Sequence, residues 1–476
     1  MTPDTAETAI VDGTSELIAP FEPSAAGLRR RLRARVLAKL AAADPARVTA
    51  VRDSWRALWS SRLLVWVAGG GTVLAFGFGP VRNAFNPPGV TRGFGWLGNL
   101  LAAPAARWDA AWYLVIARYG YRPDLGVFTS SRAAFFPLYP LGLSAIAHLG
   151  VPPVLAGVLL SLAALALALY GIHRLTTLEL ARAGRVRIGL SAPSEVARLA
   201  VLLTAFAPMA LYFSAVYSES LYLALSVGVF LCARQGRWAW VGVLGALAAA
   251  TRSAGVVLLL PALMLYLYGP REDRAPDLLA AARWRPAYRL RRDVLWLGLV
   301  PAGLGIYMAY LALSGGDALM PFHAQDVWSR HFAGPYGGVW DGLKAAFEGA
   351  RQVLSFQRHH VYFPAAGGSP LIDAGHNLML LAFLIAAVPA LIGVLRMLPL
   401  AYGVYVIAAL ALPLSYPVAS QPLMSLPRFL VVLFPLSIWL AAWLAARPRV
   451  RTPALVLSAL LMAAFVAQFA TWHWVA

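Results

Sequence analysis

Charged residues and cysteines are both scarce in this chain of 476 residues. Charged residues make up 13% of the sequence and hydrophobic residues 60%, whereas soluble domains carry roughly 25% charged residues. The mean hydropathy of +0.66 agrees with this balance and excludes an ordinary soluble protein. The single cysteine, Cys232, excludes an intrachain disulfide framework and a cysteine-ligated metal site. Most of the chain must therefore lie in a lipid bilayer.

Lysine is also scarce, and nearly all basic residues are arginine. The net charge of +19 does not predict nucleic-acid binding, because the arginines form short clusters between apolar stretches. Such clusters are typical of the cytoplasmic loops of membrane proteins. Residues 1–27 are predicted to be a polar tail, and residues 28–62 a basic amphipathic helix on the cytoplasmic surface. The first 60 residues do not have the pattern of a cleavable signal peptide.

Apolar stretches of about 20 residues, the length needed to cross roughly 30 Å of hydrocarbon, recur after residue 62. We predict an all-α, polytopic transmembrane domain over 63–476 with about eleven helices, the N-terminus in the cytoplasm and the C-terminus outside. The predicted spans are 63–81, 152–173, 199–215, 221–233, a hairpin over 238–268, 294–313, 377–395, 398–414, 429–446 and 454–471. Arginines on both sides of the hairpin require two crossings, and Arg252 is expected near its bend.

Two long stretches without a span, 82–135 and 314–376, are predicted to be external loops. Residues 136–150 are apolar but too short to cross, and are predicted to form a juxtamembrane helix. Five histidines lie in the second loop, but no pair has helical metal-site spacing, so no metal site is predicted. The aromatic residues of this loop either stack on sugar faces or rest on the bilayer, and the sequence does not separate the two.

An acidic residue between two tryptophans is the most informative feature of the first loop. Asp109 lies between Trp108 and Trp112. A carboxylate in partly apolar surroundings is poorly hydrated and becomes more basic, which suits a general base. The alternative is an interfacial aromatic belt with a surface aspartate that caps a short helix. Composition alone does not decide between the two.

Five short motifs carry a resemblance to a known family. They are the run at 107–113 with Gly120-Tyr121, Phe-Phe-Pro-x-Tyr-Pro at 135–140, Tyr217-Ser218-Glu219-Ser220, Thr251-Arg252-Ser253, and Pro427-Arg428 with Pro435. Their types and order, over about residues 100–440, resemble the PIG-V type mannosyltransferases. These are polytopic glycosyltransferases of the GT-C fold class.

The resemblance implies an enzyme that transfers mannose from dolichyl- or polyprenyl-phosphate-mannose to an acceptor on the external or lumenal side. The membrane would be the plasma membrane in a bacterium or the endoplasmic reticulum in a eukaryote. Asp109 matches the catalytic acid of the fold class, which lies in the first external loop. The substrate-binding residues are expected to be Arg107, Trp108, Trp112, Tyr113, Tyr139, Glu219, Arg252 and Arg428. We expect no cofactor.

Arginine is well suited to bind the donor phosphate. A phosphodiester carries one negative charge and leaves with two, and a planar guanidinium can bind two of its oxygens. Arg428, at the outer end of a span, and Arg252 are the candidates. The alternative for Arg428 is contact with lipid headgroups. Glu219 lies between two spans, and its alternative is a role beside Ser218 in capping a helix.

Two other functions stay open from the sequence. A lipid or sugar transporter would predict internal symmetry and polar residues near mid-membrane, whereas no repeat is visible and the polar candidates lie mostly near the outer interface. The other alternative is a GT-C enzyme that uses another lipid-linked sugar, such as an arabinosyl lipid. Composition does not exclude it, and only the motif resemblance favours mannose. The sequence does not identify the acceptor, which is expected to be a glycolipid or a glycan.

Overall fold

The computed structural model describes residues 44–80, 85–122, 131–182, 192–277, 285–334, 336–362, 369–419 and 421–476. The described residues are mainly helical and form no sheet, only two isolated β-bridges. The chain divides into two units, 1–49 and 50–476, and the first is described only from residue 44. The predicted tail and most of the predicted amphipathic helix therefore lie outside the described residues. The all-α prediction is confirmed.

The α-helices of the described residues are numbered in chain order. They are α1 (Pro45–Phe76), α2 (Gly95–Ala102), α3 (Ala110–Tyr119), α4 (Leu138–Ala147), α5 (Pro153–Arg182), α6 (Pro193–Ala205), α7 (Glu219–Arg234), α8 (Trp238–Ala249), α9 (Leu259–Tyr268), α10 (Leu299–Leu313), α11 (Met320–His323), α12 (Gly337–Ser355), α13 (Pro370–Met397), α14 (Leu400–Leu414), α15 (Leu426–Val431), α16 (Phe434–Ala445) and α17 (Pro448–Ala470). Short 3₁₀ segments lie at Ser131–Ala134, Ala210–Phe213, Ser253–Leu258, Arg292–Gly298 and Ala324–Trp328.

Five helical segments of the described residues are long and apolar enough to cross a membrane, judged by length and composition. They are Pro45–Phe76, Pro153–Ala181, Arg292–Leu313, Pro370–Met397 and Pro448–Ala470. Several shorter apolar helices, of 10–17 residues, lie among them in the chain. The prediction of a polytopic helical membrane domain is confirmed, while the count of eleven spans stays a prediction.

Helix α1 continues through residue 62, the predicted boundary between the cytoplasmic helix and the membrane domain. Its buried positions form one stripe: Ala50, Ser54, Ala57, Leu58, Ser61, Val65, Gly69 and Val73. The stripe crosses the boundary without interruption, and so does the helix. Arg62 is also buried and donates hydrogen bonds to the carbonyl oxygens of Ala205 and Ala210, at 2.8 and 2.7 Å. It therefore satisfies one carbonyl at the C-terminal end of α6 and one at the start of the 3₁₀ segment Ala210–Phe213.

Two predicted spans are broken, and both breaks lie next to the site described below. The predicted helix 199–215 ends as α6 at Ala205, because Pro208 disfavours helix at the residue before it. Irregular turns then lead to α7. The predicted span 429–446 is divided into α15 and α16 just before Pro435, which lies in the first turn of α16. Apolar composition continues across both breaks, so it did not reveal them.

The bend predicted near Arg252 is present. This residue is extended, with φ of −156°, and separates α8 from the 3₁₀ segment Ser253–Leu258. The predicted second loop contains α11 and α12, and its last residues are the first turns of α13, which begins at Pro370. The first predicted loop contains α2 and α3, and α4 (Leu138–Ala147) lies within the predicted juxtamembrane helix at 136–150.

Candidate active site

Asp109 lies at the start of α3. It occupies the N-cap position, yet its side chain makes no capping hydrogen bond. Instead, Oδ2 accepts a hydrogen bond from Nη1 of Arg428 at 2.8 Å, which joins residues 319 positions apart in the chain. Asp109 is 9% exposed. Its contacts are therefore those of a buried ion pair and differ from those of a surface helix cap.

The backbone just before Asp109 adopts an uncommon conformation. Trp108 has φ of +54°, in the left-handed region that residues other than glycine seldom occupy. Its ring packs against the rings of Phe85, Trp472 and Trp474, with centroids 5.3 to 5.8 Å apart. This aromatic packing holds the tryptophan, and with it the direction in which the chain enters α3.

A second set of contacts ties the Asp109 turn to the segment before α7. The Tyr217 hydroxyl accepts a hydrogen bond from the backbone N–H of Asp109 and donates one to the carbonyl oxygen of Arg107, both at 3.0 Å. The backbone N–H of Val216 donates to the carbonyl oxygen of Ala105 at 2.9 Å. The two motifs that begin at residues 107 and 217 are thus joined directly.

Arg428 extends the ion pair into a chain of four side chains, which we call the Asp109 cluster (Asp109, Arg428, Glu219 and Arg252). Nε of Arg428 lies 2.9 Å from Oε1 of Glu219. Nη1 of Arg252 donates to the same oxygen at 2.7 Å. Charges alternate along the cluster, so each arginine is neutralised by a neighbouring acid.

Glu219 is fully buried as the first residue of α7. Its Oε2 has no hydrogen-bond partner within the described residues. Ser218, at the N-cap, makes no capping hydrogen bond and pairs through Oγ with the Tyr113 hydroxyl at 2.9 Å. Burial, reinforced by the charge of Glu219, raises the pKa of Tyr113 to about 12, so this hydroxyl stays protonated at neutral pH.

The cluster borders a cavity of about 380 Å³. Its charged lining residues are Asp109, Arg252, Arg330 and Arg428. Aromatic residues also line it, among them Phe135 and Trp328, whose ring centroids are 5.7 Å apart. A cavity of this size with both charged and aromatic lining is suited to an amphipathic ligand.

Comparison with known proteins agrees with the motifs that meet at this cavity. Residues 83–266 match the family model described as mannosyltransferase (PIG-V). The chain is 30% identical over 223 residues to GPI alpha-1,6-mannosyltransferase 2 of Mus musculus, which covers 46% of this chain and 41% of the mouse protein. The chain thus spans less than half the length of that relative. The predicted resemblance to the PIG-V type mannosyltransferases is confirmed by these matches.

A crystal structure of the Archaeoglobus fulgidus oligosaccharyltransferase, tethered with an acceptor peptide, is also similar. The similarity covers 87% of this chain and 55% of that chain, with 15% identity and a TM-score of 0.37. A TM-score this low supports no conclusion about fold or function.

The PIG-V match includes Asp109, Glu219 and Arg252, whereas Arg428 lies beyond it.

The predicted site residues divide into two groups. Asp109, Tyr113, Arg252 and Arg428 line the cavity, and Glu219 lies behind them. The other four do not line it. Arg107 donates to the carbonyl oxygen of Ala470 and lies over the ring of Trp472, and the Trp108 ring packs against the same Trp472 ring. Trp112 stacks on Phe135. The Tyr139 hydroxyl donates to the carbonyl oxygen of Gly157. These residues support the walls of the site.

Arg330 is a cavity residue that the sequence analysis missed. It lies in the second predicted loop, next to Trp328, and its Nη1 donates to the carbonyl oxygen of Tyr416 at 3.0 Å. The PIG-V motifs do not extend to this loop. The aromatic residues beside it were the only signal, and they did not single out an arginine.

Metal ligands are not grouped in the part of the chain that the structure describes. No three histidine, cysteine, aspartate or glutamate side chains come together there as a metal site would require. His323 of the second loop pairs with Asp317 at 2.8 Å, on the exposed surface. The cations found at the cavity are arginines.

Proposed function

We propose that this chain is a membrane mannosyltransferase of the GT-C class. It takes mannose from dolichyl- or polyprenyl-phosphate-mannose and transfers it to a hydroxyl of a glycolipid or glycan acceptor. The observation that carries the proposal is the Asp109 cluster, in which one carboxylate is held by arginine at the edge of an amphipathic cavity. The PIG-V match and the name of the mouse relative support the choice of mannose.

Asp109 acts in this proposal as the general base. Arg428 holds Oδ2, while Oδ1 has no hydrogen-bond partner among the described residues and is available to an acceptor hydroxyl. The acceptor oxygen forms a bond to C1 of mannose as the bond from C1 to the phosphate oxygen breaks with its electron pair. The hydroxyl proton passes to Oδ1, and the lipid phosphate leaves with two negative charges. One displacement inverts the anomeric centre, so a β-linked donor gives an α-mannoside.

Glu219 positions Arg428 in this scheme. The guanidinium donates a hydrogen bond through Nη1 to Asp109, and its Nε lies 2.9 Å from Glu219 in an ion pair without hydrogen-bond geometry. Attracted by both acids, the guanidinium holds the carboxylate of Asp109 in one orientation, and catalysis depends on such pre-set geometry. The aromatic residues that line the cavity offer apolar surface to the lipid or to the face of the sugar.

The active site is proposed to face the external or lumenal side. The clusters of arginine in the links at 174–198 and 269–293 support this, because such clusters favour the cytoplasm. Single cysteines introduced near residue 109 and into the link at 174–198, in a Cys232→Ser background, should be labelled from opposite sides of the membrane. Labelling of both from the cytoplasmic side would contradict the proposed orientation.

The function is tested by incubating the purified protein with labelled polyprenyl-phosphate-mannose and an extract of native membranes. We expect the label to move to a glycolipid or glycan, with release of polyprenyl phosphate. A parallel reaction with a polyprenyl-phosphate pentose distinguishes the donor sugar. Transfer of the pentose alone, or movement of intact donor across liposomes without transfer, would contradict the mannosyltransferase proposal.

A further inference from the structure

The charges around the cavity do not cancel. Three arginines, Arg252, Arg330 and Arg428, line it, and two acids, Asp109 and Glu219, lie on or behind its wall. The acids neutralise two arginines and leave one positive charge. A phosphodiester donor carries one negative charge, which matches this excess. The question is which arginine is left to bind it.

Arg252 and Arg428 are already committed to acids. Arg252 pairs with Glu219, and Arg428 bridges Glu219 and Asp109. A phosphate that displaced Arg428 would leave the buried carboxylate of Asp109 without its partner, at a cost of several kcal/mol. The charge of Arg252 is already balanced by Glu219. Arg107 does not line the cavity and is held by the carbonyl oxygen of Ala470. None of these three therefore supplies the unbalanced positive charge at the cavity.

Arg330 makes no ion pair with an acid in the described residues, and the carboxylate of Asp109 acts on it only at longer range. The one hydrogen bond that its side chain makes there goes to the carbonyl oxygen of Tyr416, so most of the guanidinium is available to a ligand. The side chain of Arg330 is half-buried at the cavity. Desolvation lowers the pKa of Arg330 to about 10, and the positive charge of Arg428 adds to this effect. The side chain therefore stays charged at neutral pH and can be reached by an anion in the cavity.

The backbone around Arg330 is built to hold it at the cavity. Residue 330 bridges to Val418, and the N–H of Ala333 donates to the carbonyl oxygen of Ser415 at 2.9 Å. The preceding Ser329 has φ of +54°, a left-handed conformation. The Trp328 ring packs against Phe135 on the first loop. The two predicted loops therefore meet at the point where Arg330 enters the cavity.

We propose that Arg330 binds the phosphate group of a lipid substrate, whereas Arg252 and Arg428 hold the carboxylates of the site. This inference rests on the proposed function, since it names the substrate group that the cavity recognises. The phosphate has two sources, the phosphodiester of the donor and the phosphate of a glycolipid headgroup in the acceptor. On the donor, Arg330 also stabilises the second negative charge that forms as the lipid phosphate leaves.

The test uses Arg330→Gln and Arg330→Lys in the full chain, with Arg358→Gln as the matched control. Arg358 is an exposed arginine of the same predicted loop and does not line the cavity. Binding of a polyprenyl monophosphate and of the uncharged polyprenol is measured for each purified protein in nanodiscs. We expect the wild type and Arg358→Gln to prefer the phosphate by at least about tenfold, which corresponds to about 1.4 kcal/mol. Arg330→Gln should lose the preference, and Arg330→Lys should keep part of it.

Kinetics then identify the source of the phosphate. A rise in the KM for the lipid donor, with the KM for the acceptor unchanged, assigns Arg330 to the donor. A rise only for an acceptor with a phosphate in its headgroup assigns it to the acceptor. If Arg330→Gln is folded and matches Arg358→Gln in binding and in both KM values, the Arg330 proposal is wrong. If phosphate binding depends on Arg330 but the wild type transfers no mannose, the proposed function is wrong and the phosphate site stands.

Discussion

The two ends of α7 each carry a buried ion pair, and they differ in what surrounds the pair. The helix begins with Glu219 and ends with Arg234, roughly 22 Å away at about 1.5 Å per residue. Glu219 binds Arg252 and Arg428, whereas Arg234 binds Glu179. Both ends carry charged residues within an apolar sequence, a pattern that commonly indicates a functional site in a membrane protein.

The Arg234 end is closed. The side chains of Arg234 and Glu179 are 0% and 3% exposed, and the remaining contacts go to the Tyr402 hydroxyl and the carbonyl oxygen of Pro270. At the Glu219 end, the side chains of Arg428 and Asp109 are 12% and 13% exposed and border a cavity. A buried charge pair is therefore weak evidence for chemistry until a ligand can reach one of its atoms.

The largest effect on sugar transfer is expected for Asp109→Asn at the Glu219 end, because the substitution removes the carboxylate oxygen proposed to take the proton. The amide keeps the shape of the side chain and can still accept a hydrogen bond from Arg428, so the fold and donor binding should stay nearly intact. Loss of a general base lowers the rate by about 100-fold to 10,000-fold. The measurement is the single-turnover rate with saturating donor.

Retention of more than about a tenth of the wild-type rate in Asp109→Asn would remove Asp109 from the role of general base. A thermal unfolding curve of the same sample separates loss of chemistry from loss of fold. If the variant unfolds at the wild-type temperature and still binds donor, the rate reports the chemical role alone.

The four residues of the Asp109 cluster could be predicted from sequence, but the contacts between them could not. The motifs marked Asp109, Glu219, Arg252 and Arg428 because each is a charged residue at a matched position. The contact between Asp109 and Arg428 joins positions 319 apart, and local sequence does not encode such a contact. Arg330 was missed because its place depends on pairing of residues 330–333 with 415–418, far away in the chain.

The fold shows the same division between local and distant information. Apolar length and clusters of arginine predicted the helical segments and the bend at Arg252. They did not predict that the α-helix ends before residues 206–215, because that segment is as apolar as a helix. Its shape is set by distant partners, such as Ser161, whose Oγ donates to the carbonyl oxygen of Ala215 at 2.8 Å.

The second largest effect on transfer is expected for Arg428→Lys, which tests whether the Asp109 cluster requires a guanidinium at this position. An ammonium keeps the charge but cannot reach Asp109 and Glu219 in the same fixed geometry. Loss of one charged hydrogen bond costs about 1.5–3 kcal/mol, roughly a 10-fold to 150-fold fall in kcat/KM. For Arg252→Lys, kcat/KM should fall by about tenfold, since Arg252 contacts Glu219 through one nitrogen. Equal wild-type kinetics for both variants would contradict a geometric role for either arginine.

A smaller effect is expected for Tyr217→Phe, with Tyr212→Phe as its control. The Tyr217 hydroxyl joins the Asp109 N–H to the Arg107 carbonyl. The carbonyl keeps a hydrogen bond from the Ala110 N–H, so loss of the hydroxyl leaves the buried Asp109 N–H unpaired, at about 1–3 kcal/mol. The Tyr212 hydroxyl, on a ring 4.9 Å away, has no hydrogen-bond partner in the described residues. Tyr217→Phe should lower the unfolding temperature and kcat, and Tyr212→Phe neither. Similar behaviour of the two would mean that the Tyr217 hydroxyl does not position Asp109.

The smallest effect on transfer, and a large one on stability, is expected for Glu179→Gln at the closed end of α7. The substitution leaves the Arg234 guanidinium buried without a counter-charge, while the Tyr402 hydroxyl keeps an acceptor. Breaking a buried pair in this way costs about 3–5 kcal/mol of stability. Thermal unfolding in detergent should therefore show a clear loss, whereas kcat/KM of the folded fraction should stay within about twofold of wild type.

Glu179→Gln also decides whether α7 transmits changes from one end to the other. The helix is one rigid segment, so a shift at Arg234 could move Glu219 and through it Arg428. If the two ends are independent, Glu179→Gln and Asp109→Asn lower stability and rate separately, and the double variant shows the sum of both effects. A loss of kcat/KM greater than about tenfold in folded Glu179→Gln would show that the closed end also sets the geometry of Asp109. The ion pair at Arg234 would then belong to the mechanism as well as to the fold.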